Sequence, residues 1–328
     1  MIQKKETFLI IIFLVLCNYC ISQEYSVYEQ YYFSPFIVNP AVTGAESYPV
    51  ADISVRQQWM GFPDAPTTYQ LSGNYRIGKY DFYDPKGLVN KGPLKLADRI
   101  GIGAAIYKDI NGPSNYTGGL ISYAYHVPIN FKINFSFGMA AVGTYYAFNS
   151  SVLKPDNPDD YYLLNGNDNK FNINFNIGGY LYGQHYFIGI SADKILPDIS
   201  QVNENASFNP SYFIIGGYKL MAENNSFNFE PSVAIKKIRR EGLAVDIHTK
   251  LYIKRLNWIA ISYGTSGNLS FQFGLRLYRT IYMGYNYGYS IGEIAHYSYG
   301  SHEIHFGINL GLIRVEGIRK IAKQVIKK

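Results

Sequence analysis

The 328-residue chain has a net charge of +6, and only 16% of its residues are charged while another 16% are aromatic. A water-soluble domain carries about a quarter charged residues, so the ionic surface of that class is missing, and the mild, dispersed positive charge excludes a nucleic-acid-binding stripe. Beyond the N-terminus no apolar run reaches about 20 residues, which excludes helical membrane spans.

The N-terminus reads as a secretory leader. Lys4 and Lys5 precede the apolar run from Phe8 to Leu16, and small or polar residues follow at Cys20 and Ser22. This order of basic, apolar and cleavage regions predicts a signal peptide over 1–22. A lipoprotein signal at Cys17 is disfavoured by the bulky Leu16 before it. Both cysteines fall in the leader, so the mature chain is expected to have neither disulfides nor a catalytic thiol.

Residues 23–49 come next, with Ser34-Pro35 and Val38-Asn39-Pro40-Ala41-Val42-Thr43-Gly44. Two prolines and a glycine this close together argue against a long strand. The segment is either a periplasmic leader to the first strand or a hatch folded into a barrel mouth. Asn39-Pro40-Ala41 resembles the hatch of FadL-type barrels.

From Val50 onward the chain alternates. Phe171-Asn172-Ile173-Asn174-Phe175-Asn176-Ile177 has one wholly apolar side and one wholly amide side when extended, a separation that a 3.6-residue period does not allow. Strands are expected at 50–58, 67–77, 99–107, 116–126, 131–146, 171–182, 185–193, 209–220, 226–237, 242–253, 257–264, 268–278, 280–290 and 301–311, fourteen in all. Low charge, abundant Tyr and Gly, and this period predict an all-β fold, a transmembrane antiparallel β-barrel of the outer membrane spanning 50–311, with lipid around it.

An even strand number returns both ends to the periplasm. The gaps 127–130, 184, 221–225, 254–256 and 279 then serve as short periplasmic turns, and 147–170, 194–208 and 291–300 as longer outer loops. The long gap 78–98 breaks that rule and reads as a periplasmic insertion or as a miscounted strand.

Alternation also assigns faces. Phe227, Phe229, Val233, Ile235, Val245, Ile247 and Leu251 are expected against lipid, while Arg56, Arg76, Glu230, Lys236, Asp246, His248, Lys250, Arg276, Glu303 and His305 face the lumen. An Arg or Lys on the lipid face at mid-bilayer costs roughly 2–4 kcal/mol, and opposite charges inside can pair across strands. A partly filled lumen is therefore expected rather than a wide pore. Tyr285, Tyr287 and Tyr289 share one face near a strand end, as girdle residues do. The tail 312–328 places Ile318, Ile321, Ala322 and Val325 at helical spacing among Arg319, Lys320, Lys323, Lys327 and Lys328. It reads either as a basic amphipathic helix for an anionic surface or a periplasmic partner, or as a solvated end.

Sites for chemistry are not evident. On a strand, Glu303 and His305 share a face that His302 leaves, whereas the zinc-protease motif needs a helix and another spacing. Gly101-Ile102-Gly103 has no helix pattern after it, and Asp156, Asp159, Asp160 and Asp168 lack calcium-loop spacing. No catalytic residue, metal ligand or cofactor is expected.

Several words of the sequence are more specific. Gln58-Trp59-Met60-Gly61-Phe62-Pro63-Asp64-Ala65-Pro66-Thr67-Thr68 resembles the QW-x-GF-x-x-APTT signature of the PorP/SprF family of Bacteroidota. Phe33 to Gly44, holding Asn39 and Pro40, is similar to that family's opening, with Ser34 in place of its first Asn. Gly101 to Pro113, Ser122-Tyr123-Ala124-Tyr125-His126 and Gly300-Ser301-His302-Glu303-Ile304 follow in family order, while Gly288 and Gly264 depart from its usual Asp and Arg. The resemblance implies a non-enzymatic accessory barrel of the type IX secretion system. Its partners would be an exported surface protein, such as a gliding adhesin, and periplasmic secretion or motor proteins. The alternative is a FadL-like or porin-like transporter of small molecules.

Overall fold

In the computed structural model the described residues are 31–46, 49–78, 95–130, 133–149, 169–196, 210–221, 227–238, 242–253, 257–278 and 280–309. The expected leader, most of 78–98, the acidic stretch at 156–168 and the basic tail lie outside them.

The strands are β1 Val50–Gln57, β2 Thr67–Arg76, β3 Ile100–Asn111, β4 Ser114–Pro128, β5 Ile133–Phe148, β6 Lys170–Gly183 and β7 Tyr186–Asp193. They continue with β8 Ser211–Tyr218, β9 Phe227–Ile238, β10 Gly242–Ile253, β11 Asn257–Gly264, β12 Asn268–Tyr278, β13 Ile281–Ser290 and β14 Ser301–Asn309. Leu220–Met221, one residue past β8, pairs with the same neighbour as β8 and continues it. Every strand is antiparallel to the next, and β1 pairs with β14 from Val50↔Asn309 to Gln57↔His302, so the sheet closes as a ring of fourteen strands without a free edge. Closure satisfies the backbone groups that lipid leaves without partners.

The pattern of exposure is inverted relative to a soluble protein. In β6, Ile173 is 50% exposed while its neighbour Asn174 is 4% exposed. Ile53, Ile106, Ile121, Phe137, Ile190, Ile247 and Ile259 likewise point outward, and Asp52, Arg56, Gln70, Ser136, Lys236 and His305 are buried inward. An apolar outside over a polar inside suits lipid around the ring.

Two details differ from the sequence reading. The third and fourth strands run longer, to Asn111 and from Ser114, and meet in a tight turn. The eighth breaks at Lys219, whose ammonium turns to the Glu230 carboxylate at 3.0 Å.

Residues 31–46 lie inside the ring. Two 3-10 turns, Pro35–Ile37 and Pro40–Val42, give them a compact course, and the Asn39 side chain caps the second by accepting from Ala41 N at 3.0 Å. Proline supplies the fixed φ that the start of each turn requires.

Candidate functional site

The sequence words at 58–68 and 300–304 meet at one corner of the rim, at the end of the ring opposite Val50 and Asn309. Past Gln57 the chain keeps company with the residues leading into β14. Met60 N donates to Gly300 O at 2.8 Å and Tyr299 N to Met60 O at 2.7 Å. Trp59 N donates to Ser301 Oγ, and its indole Nε1 to Ser290 Oγ, both at 3.2 Å. Gly61 has φ +100, and a Cβ there would press on the Tyr299 ring, so glycine meets both the backbone and the packing requirement. Gln58 N closes the loop onto Pro66 O at 2.8 Å. Thr67 Oγ1 donates to Ala65 O at 3.4 Å, and the buried Thr68 hydroxyl donates to Asp109 at 2.7 Å. Phe62 is exposed on this corner with Tyr297 and Tyr299. His302 faces outward, where Tyr285 Oη lies 2.7 Å from its Nδ1.

Inside, Arg56 Nη1 lies 3.4 Å from Glu303 Oε2, which also accepts from Asn286 Nδ2. His305 stands between two carboxylates, Asp52 at 3.2 Å and Glu303 at 2.8 Å. Tyr282 donates to Asp52 at 3.0 Å, and the Phe33 ring stacks on His305 at 3.6 Å between centroids. Lys236 pairs with Asp246 at 2.8 Å, and Tyr31 donates to the same carboxylate. Burial first, and then Tyr32 and Asp246, push the Tyr31 phenol well above its ordinary range, so it remains a donor. Lys250 sits over the Trp258 ring at 4.4 Å, and His248 stacks on Tyr32 at 4.0 Å. Arg276, half-buried, lies across from Tyr282.

A third group surrounds Arg76. Its Nη2 donates to Tyr182 Oη at 2.7 Å, and Tyr182 Oη lies 2.9 Å from His126 Nδ1. His126 Nε2 is 2.9 Å from Thr43 O. A carbonyl only accepts, so Nε2 carries hydrogen, and in the neutral ring Nδ1 accepts from the tyrosine. Asn39 and Pro40 are not at the rim. Asn39 Nδ2 donates to Gly179 O and Ile190 O at 3.2 and 3.4 Å.

The structure thus groups Gln58 to Thr68 with Ser301, His302 and Glu303, and sets Asn39 and Pro40 apart in the lumen. From the sequence alone Asp52, Phe33, His126, Tyr182 and Asn286 carry no site role, although Phe33 and His126 fall in family-like segments. The inward parity of Asp52, His126 and Asn286 within alternating strands was the available signal. Among the described residues, no three His, Cys, Asp or Glu side chains are grouped to hold a metal ion.

A closed antiparallel ring with an apolar exterior, buried ion pairs and a piece of its own chain inside defines a transmembrane β-barrel of the outer membrane. The profile described as "Type IX secretion system membrane protein PorP/SprF" matches residues 21–308, and the chain belongs to that family. No curated protein matches. Among solved structures, outer membrane protein Omp33 of Acinetobacter baumannii is similar at 10% identity and TM-score 0.45, over 79% of this chain and 97% of that one. Outer membrane phospholipase A from Escherichia coli is similar at 8% identity and TM-score 0.39, over 83% and 98%. The KdgM porin is similar at 8% identity and TM-score 0.38, over 79% and 98%. Likeness at this level carries no functional inference.

Proposed function

We propose that the barrel is a non-enzymatic accessory of type IX secretion that holds or releases an exported surface protein at the outer face. In this reading it also meets secretion or motor proteins at its periplasmic end. Membership of the PorP/SprF family carries this reading. The longer connections 58–66, 149–169, 194–210 and 291–300 share one end of the ring, which suits the exterior, while short turns such as 129–132 and 184–185 share the other. The rim corner of Trp59, Phe62, Tyr297 and Tyr299 is then available to a partner from outside. Residues 78–98 and 312–328 would serve the periplasmic contacts.

Deleting the gene and labelling surface proteins on intact cells tests the proposal. One exported protein, an adhesin in the leading version, is expected to vanish from the exterior. Unchanged display of every type IX substrate would sink it.

A second reading, a FadL-like or porin-like transporter, draws on the segment inside the ring as a hatch. Solute uptake by the purified barrel in vesicles would favour it, and absence of flux would remove it.

A further inference from the structure

Five neighbouring strands place their smallest residues in one line. Gly101 of β3 is registered with Ala124 of β4, Ala124 with Gly138 of β5, Gly138 with Gly178 of β6, and Gly178 with Ser191 of β7. All five face inward, and together they make a shallow groove across the strands.

Residues 38–43 lie in that groove in matching order. Val38 O accepts from Ser191 Oγ at 2.9 Å. The Asn39 side chain occupies the space a Cβ on Gly178 would need, and it is also too close to Gly189 for a Cβ there. The Pro40–Ala41 peptide fills the place of a Gly138 Cβ, and Ala41 O accepts from Ser136 Oγ at 2.6 Å. Thr43 O lies where Gly101 would carry a Cβ, and the Thr43 hydroxyl donates to Ser122 at 2.9 Å. Glycine inside a strand weakens it and marks close approach of another backbone. Here the successive approaches belong to one segment.

Anchors lie at both ends. Thr43 O takes the last bond of the chain running from Arg76 through Tyr182 and His126, and Gly44 N donates to Asn74 Oδ1 at 3.0 Å. At the other end Ser34 Oγ lies 3.1 Å from Ser72 Oγ, and Phe36 and Ile37 pack on Ala105, Leu120, Ala140 and Val142. Beside Tyr31 and Tyr32 there is a narrow polar cleft lined by Lys236, Asp246, Ser262, Gln272 and Asn286.

We propose that residues 38–43 form a fixed plug rather than a gate, seated in a groove built for them, and that the lumen stays closed to hydrated ions while the barrel works. Withdrawal would break the bonds that Thr43 O, Ala41 O and Val38 O share with His126, Ser136 and Ser191, at a modest net cost each, and would bring the buried Val38 and Ala41 into water. Gly44 lies six positions before Val50, where β1 begins.

The test uses the full chain in planar bilayers with potassium chloride. Its own cysteines, Cys17 and Cys20, are replaced by Ser, so introduced pairs report cleanly. Ser34→Cys with Ser72→Cys, and Thr43→Cys with Ser122→Cys, are expected to form disulfides in the folded barrel. Wild type, reduced pairs and oxidised pairs should all be silent. Gly138→Val and Gly178→Val, if folded by gel mobility of the unheated protein, should show steady conductance as the segment is forced off its seat. Discrete openings in the reduced pairs that vanish on oxidation would overturn the proposal in favour of a gate, as would failure of both pairs to cross-link. A folded, silent Gly138→Val barrel whose segment stays protected from protease would also overturn it. If neither glycine variant folds, the cysteine pairs decide alone. None of these readouts involves an exported protein, so failure here leaves the secretion reading untouched.

Discussion

Arg56 and Glu303, 247 positions apart in the chain, face each other at 3.4 Å across the pair of strands that closes the ring. Their side chains are almost wholly buried, and Glu303 is shared with His305 and Asn286. The first and last strands are thus joined by a ladder of backbone bonds with a charged clasp on its inner side.

Removing one member of such a cluster leaves its partner charged and buried. Glu303→Gln is expected to cost about 3–5 kcal/mol, read as a lower temperature of conversion from the compact to the unfolded band on gels. Replacing both members, Arg56→Met with Glu303→Leu, should recover part of that loss, because the buried guanidinium that faces Glu303 is removed together with it. A single substitution no worse than the double would contradict the account.

Asn39 offers a test of donor direction. Its amide nitrogen faces two carbonyls, those of Gly179 and Ile190. Asn39→Ala should cost about 1–3 kcal/mol for the polar groups left unpaired. Asn39→Asp, closer in shape, should be worse, since it aims a carboxylate at both carbonyls. Equal stability of the two variants in the same gel assay would count against the contact.

The outer wall makes the opposite demand. Ile121, midway along β4, is 74% exposed on the outward face. Ile121→Arg is expected to cost about 2–4 kcal/mol in lipid, measured by urea unfolding in vesicles, whereas Ile121→Val should be near neutral. A harmless arginine there would mean that this face does not meet hydrocarbon.

The rim corner separates folding from function. Trp59→Phe deletes the indole bond to Ser290 and should cost about 0.5–1.5 kcal/mol, leaving the barrel assembled. If the exposed aromatics there meet the exported protein, the triple variant Phe62→Ser, Tyr297→Ser, Tyr299→Ser should reduce its surface display while barrel abundance holds. Undiminished display would move the contact elsewhere.

Much of the ring was legible because lipid and lumen impose opposite demands at every second residue. Phe171 to Ile177 obeys that rule throughout, and β6 runs through it. Lumen contents were harder to read. Parity put Arg56, Glu303 and His305 on the inner face, but which inward residues meet depends on the register of strands joined only at closure. Glycines were legible as strand residues without revealing their purpose. Gly101-Ile102-Gly103 lacks the following helix of a dinucleotide loop, yet Gly101 makes room for the Thr43 carbonyl and Gly103 for the Ser122 hydroxyl, the Thr43 methyl and Phe36. Inward glycines at Gly101, Gly138 and Gly178 were a signal that something crosses the wall, but periodicity could not say what.

The line of small residues on β3 to β7 also bears on how the protein can be assembled. The segment comes shortly before β1, with Gly44 six positions ahead of it, and is seated on side chains of β4, β5 and β7, so its contacts form only where those strands stand side by side. The groove uses only β3 to β7, so it is complete without the seam beside Arg56, and the earliest-made part of the fold can serve as the former against which those strands are laid.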